Sequence, residues 1–176
     1  GARCSELCQL RVIDINQEKQ IPTITFTDEG ESQRIKTNAG KRTIPIHSEL
    51  LRLGFLNYVG SQHSVNLWPA LPFRKEKPGG YFSQWFGALR DQLEIPNTIV
   101  FHSFRHTTRS NLVITEVREP IIDKILGHET SGSVGAKTYT HVPIHTLQKA
   151  IERIPVPTKL KPIYTLRTHQ TKGQHR

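Results

Sequence analysis

The spacing of apolar residues divides the chain into a β-rich first part and a helical second part. Residues 2–10 carry apolar side chains three apart, which predicts a short amphipathic helix. Residues 22–28 then alternate between apolar and polar positions, extended structure resumes at 33–36, and alternation returns at 42–46. These three segments predict a three-stranded antiparallel meander.

Turn residues separate the three predicted strands. Asp28-Glu29-Gly30 and Asn38-Ala39-Gly40 have the composition of tight connections. Pro45 cannot donate a backbone hydrogen bond, so the last strand is expected at an edge of the sheet.

Helical periodicity dominates from residue 48 onward, interrupted by a Pro- and Gly-rich loop at 61–80. Proline suits the first turn of a helix and glycine its C-terminal cap, so both residues help to place the boundaries. The predicted helices are a segment capped by Ser48, one that begins at Ser83, one over 102–116, one from Pro120 to Gly127, and one from Pro143 through Ile154. The pattern therefore predicts an α+β fold that is mainly helical, with a small three-stranded antiparallel sheet at one side.

Charge is distributed unevenly along the 176 residues, whose formal net charge is +9. Residues 155–176 hold five basic residues and no acidic one, which leaves +4 on residues 1–154. We therefore expect a single domain over 1–154, followed by a basic tail at 155–176 that is flexible or contacts DNA or a partner. A basic surface attracts polyanions, so nucleic acid or an anionic membrane surface is a candidate partner.

Other classes of protein are disfavoured by what the sequence contains. No apolar run approaches the ~20 residues that a membrane-spanning helix needs, and no signal-peptide pattern opens the chain. Cys4 and Cys8 lie four apart in a predicted helix, so a disulfide framework is not expected. We expect the protein to work in a reducing compartment. The chain starts without methionine and inside an amphipathic pattern, which suggests a piece of a longer protein.

Several residues whose side chains can act in catalysis lie at predicted helix ends or on the predicted meander. His102 and Arg105 are three apart and share one face at a helix start, and His128 follows the glycine that ends a helix. Tyr139 comes eleven residues after His128. Arg3 lies near the start of the chain, and Lys36 lies on the predicted meander. Each residue alone is more often a solvated charge or a structural side chain; the combination is what indicates a site.

Four stretches, in order, resemble the tyrosine recombinase, or phage integrase, family over residues 1–154. They are Gly1-Ala2-Arg3-x-x-Glu6-x-x-Gln9-Leu10 followed by Asp14-Ile15; Lys36-Thr37 leading to Arg42-Thr43-Ile44-Pro45-Ile46; His102-x-x-Arg105-His106-Thr107; and Leu126-Gly127-His128 followed by Tyr139-Thr140-His141-Val142. The family's N-terminal DNA-binding domain has no counterpart in the given sequence, which implies weak and salt-dependent DNA affinity for this part alone.

The resemblance implies a catalytic role for six residues. Arg3 and Arg105 would hold the scissile phosphate and His128 would hydrogen-bond it. Tyr139 would attack phosphorus to form a 3′-phosphotyrosyl link, His102 would assist proton transfer at the tyrosine, and Lys36 would protonate the leaving 5′ oxygen. No metal is expected, because fixed cations take its place. No ATP or other cofactor is expected either, because the phosphotyrosyl link keeps the energy of the phosphodiester.

Alternatives remain open at several positions. Lys41 lies across the same turn as Lys36 and could be the general acid instead, and Tyr164 is a second tyrosine but lacks the Leu-Gly-His context. His102 and His106 have the i, i+4 spacing of zinc ligands, yet no third ligand is placed by spacing. A catalytically inactive DNA-binding relative and a type IB topoisomerase-like nicking-closing enzyme are the competing functions.

The resemblance also implies where the protein works and with what. The expected partner is double-stranded DNA, bound by a homotetramer across two sites, with no membrane partner and a monomer or weak oligomer when free. A cytoplasmic, nucleoid-associated protein of a bacterium or phage is expected, with roles such as viral genome integration or mobile-element recombination.

Overall fold

A computed structural model describes residues 1–72, 77–129, 142–156 and 160–162. Seven α-helices and a three-stranded antiparallel sheet make up this described part. The helices are α1 (Cys4–Cys8), α2 (Ser48–Arg52), α3 (Phe55–Gly60), α4 (Gly80–Gln92), α5 (Ser103–Ile114), α6 (Glu119–Leu126) and α7 (Ile144–Ile151), and the strands are β1 (Ile15–Asn16), β2 (Thr23–Phe26) and β3 (Arg42–Pro45). The predicted α+β class is therefore confirmed.

The sheet has the order β1-β2-β3, with β2 antiparallel to both neighbours. Pro45 pairs with Thr23 on β3, which is an edge strand as the proline predicted. The predicted strand at 33–36 was wrong, because those residues form no strand. The sheet takes its remaining strand, β1, from residues before β2 instead.

The backbone of Arg34, within 33–36, bonds the side chain of Gln9 instead of a neighbouring strand. The Gln9 amide donates to the carbonyl of Arg34 at 2.7 Å and accepts from its N–H at 2.9 Å. Gln33 is buried, and its side-chain amide donates to Asp14 Oδ2 at 2.7 Å. The Gln9 side chain thus satisfies the N–H and the carbonyl of Arg34, which strand pairing would otherwise have to satisfy.

The helix boundaries were predicted to within a few residues, with two corrections. His47, and not Ser48, caps α2, since its Nδ1 accepts from the N–H of Glu49 at 3.0 Å. Gly54, at φ +91°, splits the predicted single segment into α2 and α3. At the predicted C-cap, Gly127 has φ +70°, the left-handed conformation that glycine adopts without strain.

Two hydrophobic clusters form the core. One packs α5, α6 and α7 around Leu112, Ile122, Leu126 and Leu147. The other packs the sheet against α1 and α3 around Leu10, Ile24, Phe26 and Val59. Ile44 on β3 touches both clusters, so the candidate catalytic residues of α1 and α5 lie near the seam between them. None of the described helices is long and apolar enough to cross a bilayer.

Candidate active site

Arg3 is held at the start of α1 by a carboxylate one turn away. Its backbone N–H donates to Glu6 Oε2 at 2.8 Å, and its Nη1 donates to Glu6 Oε1 at 2.7 Å. Its Nη2 reaches the carbonyl of Gly127 at the end of α6, at 3.5 Å. The side chain therefore spans from α1 to the residue that precedes His128.

Glu6 is shared with a second, completely buried arginine. Arg42 Nη2 lies 2.9 Å from Glu6 Oε2, and the two side chains are 0% and 3% exposed. Burial raises the pKa of Glu6, but the hydrogen bond and charge of Arg42 and the hydrogen bonds of Arg3 outweigh it and hold the pKa below its ordinary value. Glu6 is therefore a carboxylate at neutral pH, and it fixes one arginine on each side.

The remaining donors of Arg42 are also satisfied. Its Nε donates to the carbonyl of Ile125 at 2.9 Å, and its Nη1 donates to the carbonyl of Gly40 at 2.7 Å. The guanidinium lies 4.3 Å above the ring of Phe26. A Cβ at Gly127 would come within 2.7 Å of Arg42 Nη1, so only glycine permits this approach.

Arg105, in the first turn of α5, is buried but incompletely paired. It is 4% exposed, and its Nη1 donates to the carbonyl of Gly1 at 2.7 Å. Its Nη2 is buried and has no hydrogen-bond partner among the described residues. Burial and then the nearby charge of Arg3 lower the pKa of Arg105 to about 10. Leaving a buried charged donor unpaired is costly, so this position is suited to an anionic ligand.

His128 leaves α6 through Gly127 and meets an aspartate of the same helix. Both backbone N–H groups, of Gly127 and His128, donate to the carbonyl of Asp123 at 2.7 and 3.0 Å. His128 Nδ1 lies 3.6 Å from Asp123 Oδ1, and Arg109 Nη1 lies 3.6 Å from the same oxygen. Burial and then the charge of Arg105 lower the pKa of His128, which keeps the imidazole neutral at pH 7.

His102 caps the N-terminus of α5 and is exposed. Its ring packs edge-on against the ring of His106, with centroids 5.0 Å apart. Burial lowers the pKa of His102, and the neighbouring His106, Arg105 and Arg3 lower it further. A neutral imidazole can accept a proton. Within the described ranges, no group of three or more His, Cys, Asp or Glu side chains could hold a metal.

Four of the six predicted catalytic residues are thus brought together. Arg3, His102 and His128 each lie close enough to Arg105 for their charges to influence one another. Tyr139 lies outside the described residues, as does Tyr164.

Lys36 is described but not joined to this cluster. It is exposed, and it forms no hydrogen bond or ion pair with another described residue. Lys41 instead pairs with Asp28, its Nζ lying 2.8 Å from Oδ1. Lys41 is thus ion-paired at the surface and Lys36 is not, and an exposed pair of this kind is weak, so the choice between the two lysines stays a prediction.

Three supporting residues were not assigned a role from the sequence: Glu6, Arg42 and Asp123. Two of them carried a signal. Arg42 alternates with Ile44 and Ile46 along its strand and so lies on the same, apolar face. A charged residue on that face needs a buried partner of opposite charge. Glu6 follows Arg3 at i+3, which is the spacing of a side-chain pair. We find no comparable signal for Asp123.

One protein-family model covers most of the chain. The model of the phage integrase family matches residues 1–145, so the chain belongs to the phage integrase family, whose members are site-specific recombinases that act on DNA. No curated protein and no solved structure matches the chain.

Proposed function

We propose that this chain cleaves and rejoins DNA through a covalent bond between Tyr139 and a 3′ phosphate, without metal or ATP. The observation that supports it best is the buried, unpaired Nη2 of Arg105 beside Arg3. A DNA phosphate supplies the acceptor that Nη2 lacks and the negative charge that two adjacent guanidiniums favour.

The two arginines would act mainly on the transition state. As Tyr139 attacks, the phosphorus becomes pentacoordinate and negative charge builds on its non-bridging oxygens. Arginine donors are planar and forked, and Arg3 and Arg105 are fixed in advance by Glu6 and by the carbonyl of Gly1. One preorganised donor of this kind typically contributes ~10²–10³ in rate.

Proton transfer completes the step. A phenol has a pKa of ~10, so the Tyr139 hydroxyl needs a base at neutral pH. His102, held neutral, accepts that proton while the tyrosine oxygen bonds to phosphorus and the bond from phosphorus to the 5′ oxygen breaks. Lys36 gives its proton to the departing 5′ oxygen. Rejoining reverses each transfer, and the phosphodiester energy is retained throughout.

His128 would respond to the bound phosphate. Burial, and then the charge of Arg105, lower the pKa of His128 and keep it neutral in the free protein. A phosphate introduces negative charge, which favours the imidazolium, and an imidazolium can donate to Asp123 from Nδ1 and to the phosphate from Nε2.

The competing functions use the same residues differently. An inactive DNA-binding relative would also bind phosphate through Arg105 but would need no nucleophile or proton-transfer groups, whereas all six candidate catalytic positions are filled in this sequence. A type IB topoisomerase-like enzyme would share the chemistry without exchanging partners. We further propose residues 1–154 as the catalytic domain, 155–176 as a basic tail, and a homotetramer on two DNA sites in the integration of a phage or mobile element.

The decisive experiment traps the covalent intermediate. The DNA that flanks the gene supplies a nicked suicide duplex, and denaturing electrophoresis reports protein attached to a 3′ end. Wild type and Tyr164→Phe should form the adduct, and Tyr139→Phe should form none. An adduct that persists in Tyr139→Phe and disappears in Tyr164→Phe would overturn the assignment, and loss of cleavage with a chelator would overturn the metal-free mechanism.

A further inference from the structure

Helix α1 carries two thiols, Cys4 and Cys8, on the side that faces α4. Cys4 and Cys8 line a cavity of about 560 Å³ between α1, α4 and the segment around Trp68. The walls are almost entirely apolar and include Leu7, Tyr58, Trp68, Leu71, Phe82 and Phe101. Cavities of this volume commonly bind small molecules.

The two thiols are adjacent, and Cys4 has a further polar neighbour. The sulfurs lie 3.8 Å apart, and Cys4 Sγ lies 3.6 Å from Ser83 Oγ on α4. Gly79, at φ +82°, closes over them, since a Cβ there would come within 3.0 Å of Cys4 Sγ. The hydrogen bond from Cys8, opposed by burial and aided by Ser83, lowers the pKa of Cys4 to about 6, and the pKa of Cys8 is raised. The Ser83 hydroxyl can donate to Cys4 and lies against that sulfur, so we take Cys4 as the nucleophilic thiol of the pair.

Helix geometry argues against a disulfide as the purpose of this pair. Residues four apart on a helix have Cβ atoms ~5–6 Å apart, whereas a disulfide requires ~3.5–4.5 Å. Oxidation would thus have to distort α1 beside Arg3. An addition to one sulfur needs no such movement, and the cavity offers room for the group that is added.

We propose that Cys4 is a covalent modification site for an apolar α,β-unsaturated carbonyl compound whose body fills the cavity. The Cys4 thiolate attacks the β-carbon, a carbon–sulfur bond forms, and the electron pair of the double bond moves to the carbonyl as an enolate. The proton that left the Cys4 thiol is returned by solvent to the α-carbon. Every atom is retained in the thioether product, so no oxidant, reductant or leaving group is required.

The walls of the cavity limit which compounds fit. Tyr58 and Trp68 stack with ring centroids 5.4 Å apart, and Phe82 packs edge-on against Phe101 at 5.0 Å. These faces favour an aromatic or aliphatic body over a charged one, because a charge would lose its hydration without gaining a partner. The site therefore discriminates by the body of the compound as well as by its reactive end.

The test compares two maleimides with the same reactive group. N-phenylmaleimide is apolar, and N-(2-carboxyethyl)maleimide carries a carboxylate. Intact-mass kinetics on the 176-residue chain give each rate, normalised to the rate with N-acetylcysteine, and peptide mass spectrometry locates the label. We expect Cys4 to be labelled first and N-phenylmaleimide to be at least tenfold faster after normalisation. Equal normalised rates, or a label mainly on Cys8, would overturn the proposal.

Two further measurements isolate the role of the cavity. Ala70 lines the cavity but is exposed, so Ala70→Trp should fill it while leaving both thiols in place, which circular dichroism can verify. The preference for N-phenylmaleimide should then fall below about twofold. Without any substitution, the unreactive N-phenylsuccinimide should slow labelling by N-phenylmaleimide. A preference that survives Ala70→Trp in a folded protein, or an absence of competition, would contradict occupation of the cavity.

Discussion

Arg42 and Arg105 are both buried arginines within the same part of the molecule, yet their surroundings differ in kind. Arg42 has a carboxylate, two carbonyl oxygens and an aromatic face around its guanidinium. Arg105 has one carbonyl oxygen on Nη1 and no described partner for Nη2, and among neighbouring charges Arg3 lowers its pKa most. Within the described residues, every guanidinium nitrogen of Arg42 has a partner, whereas Nη2 of Arg105 has none.

The contrast separates support from binding in a cluster whose residues look alike in sequence. A buried ion pair whose donors are all satisfied belongs to the architecture, and removing one partner leaves the other charge stranded. A buried cation with an unpaired donor destabilises the free protein, and a ligand that accepts from that donor removes the penalty. Burial alone would not have distinguished the two.

The largest expected effect comes from breaking the paired arginine. Arg42→Met should lower the free energy of unfolding by about 3–5 kcal/mol, because Glu6 remains buried with Arg3 as its sole charged partner. Urea denaturation measures it. Adding Glu6→Leu to Arg42→Met should recover part of the loss, since no stranded carboxylate remains. If the double variant is no more stable than Arg42→Met, the stranded charge is not the cause.

The matched substitution at the other arginine should affect rate and not stability. Arg105→Met should lower the rate of covalent adduct formation by about 10²–10³ while the free energy of unfolding stays within about 1 kcal/mol of wild type, because the lost donor serves the phosphate. The suicide-substrate assay and urea denaturation measure the two quantities. A variant as unstable as Arg42→Met would place Arg105 in the architecture too.

The smallest effect concerns the histidines near Arg105. Its positive charge lowers the pKa of His102 and of His128, so Arg105→Met should raise both toward the ordinary value of about 6.5. Histidine titration by NMR measures this shift. In wild type, the cleavage rate should stay constant as the pH falls to about 6.5, the ordinary pKa of histidine. It should decline only at lower pH, where His102 becomes protonated and can no longer accept a proton. Unchanged pKa values in Arg105→Met would mean that the guanidinium is too well screened to act.

The sequence predicted local elements better than the contacts between them. Pro120 and Gly127 marked both ends of α6, and Pro45 marked an edge strand, because these residues restrict their own backbone. Residues 33–36 were assigned to a strand, although the backbone of Arg34 bonds the side chain of Gln9, 25 residues earlier in the chain, and pairs with no strand. Such a long-range partner leaves no mark in a local pattern.

The site divides in the same way. Motif order identified Arg3, His102, Arg105 and His128, and the structure brings these four together. The sharing of Glu6 between Arg3 and Arg42 depends on β3 packing beside α1, and spacing along the chain does not encode that distance. The roles of Lys36 and Tyr139 stay predictions.

The strand β3 has a consequence for how the protein opens. Ile44 joins both hydrophobic clusters, and Arg42 on the same strand bonds Glu6 of α1 on one side and the carbonyl of Ile125 in α6 on the other. Two small clusters without such a connection would exchange their amide hydrogens independently, as separate cooperative units. With β3 shared, the slowest-exchanging amides of α6 and of β2 should report one common opening.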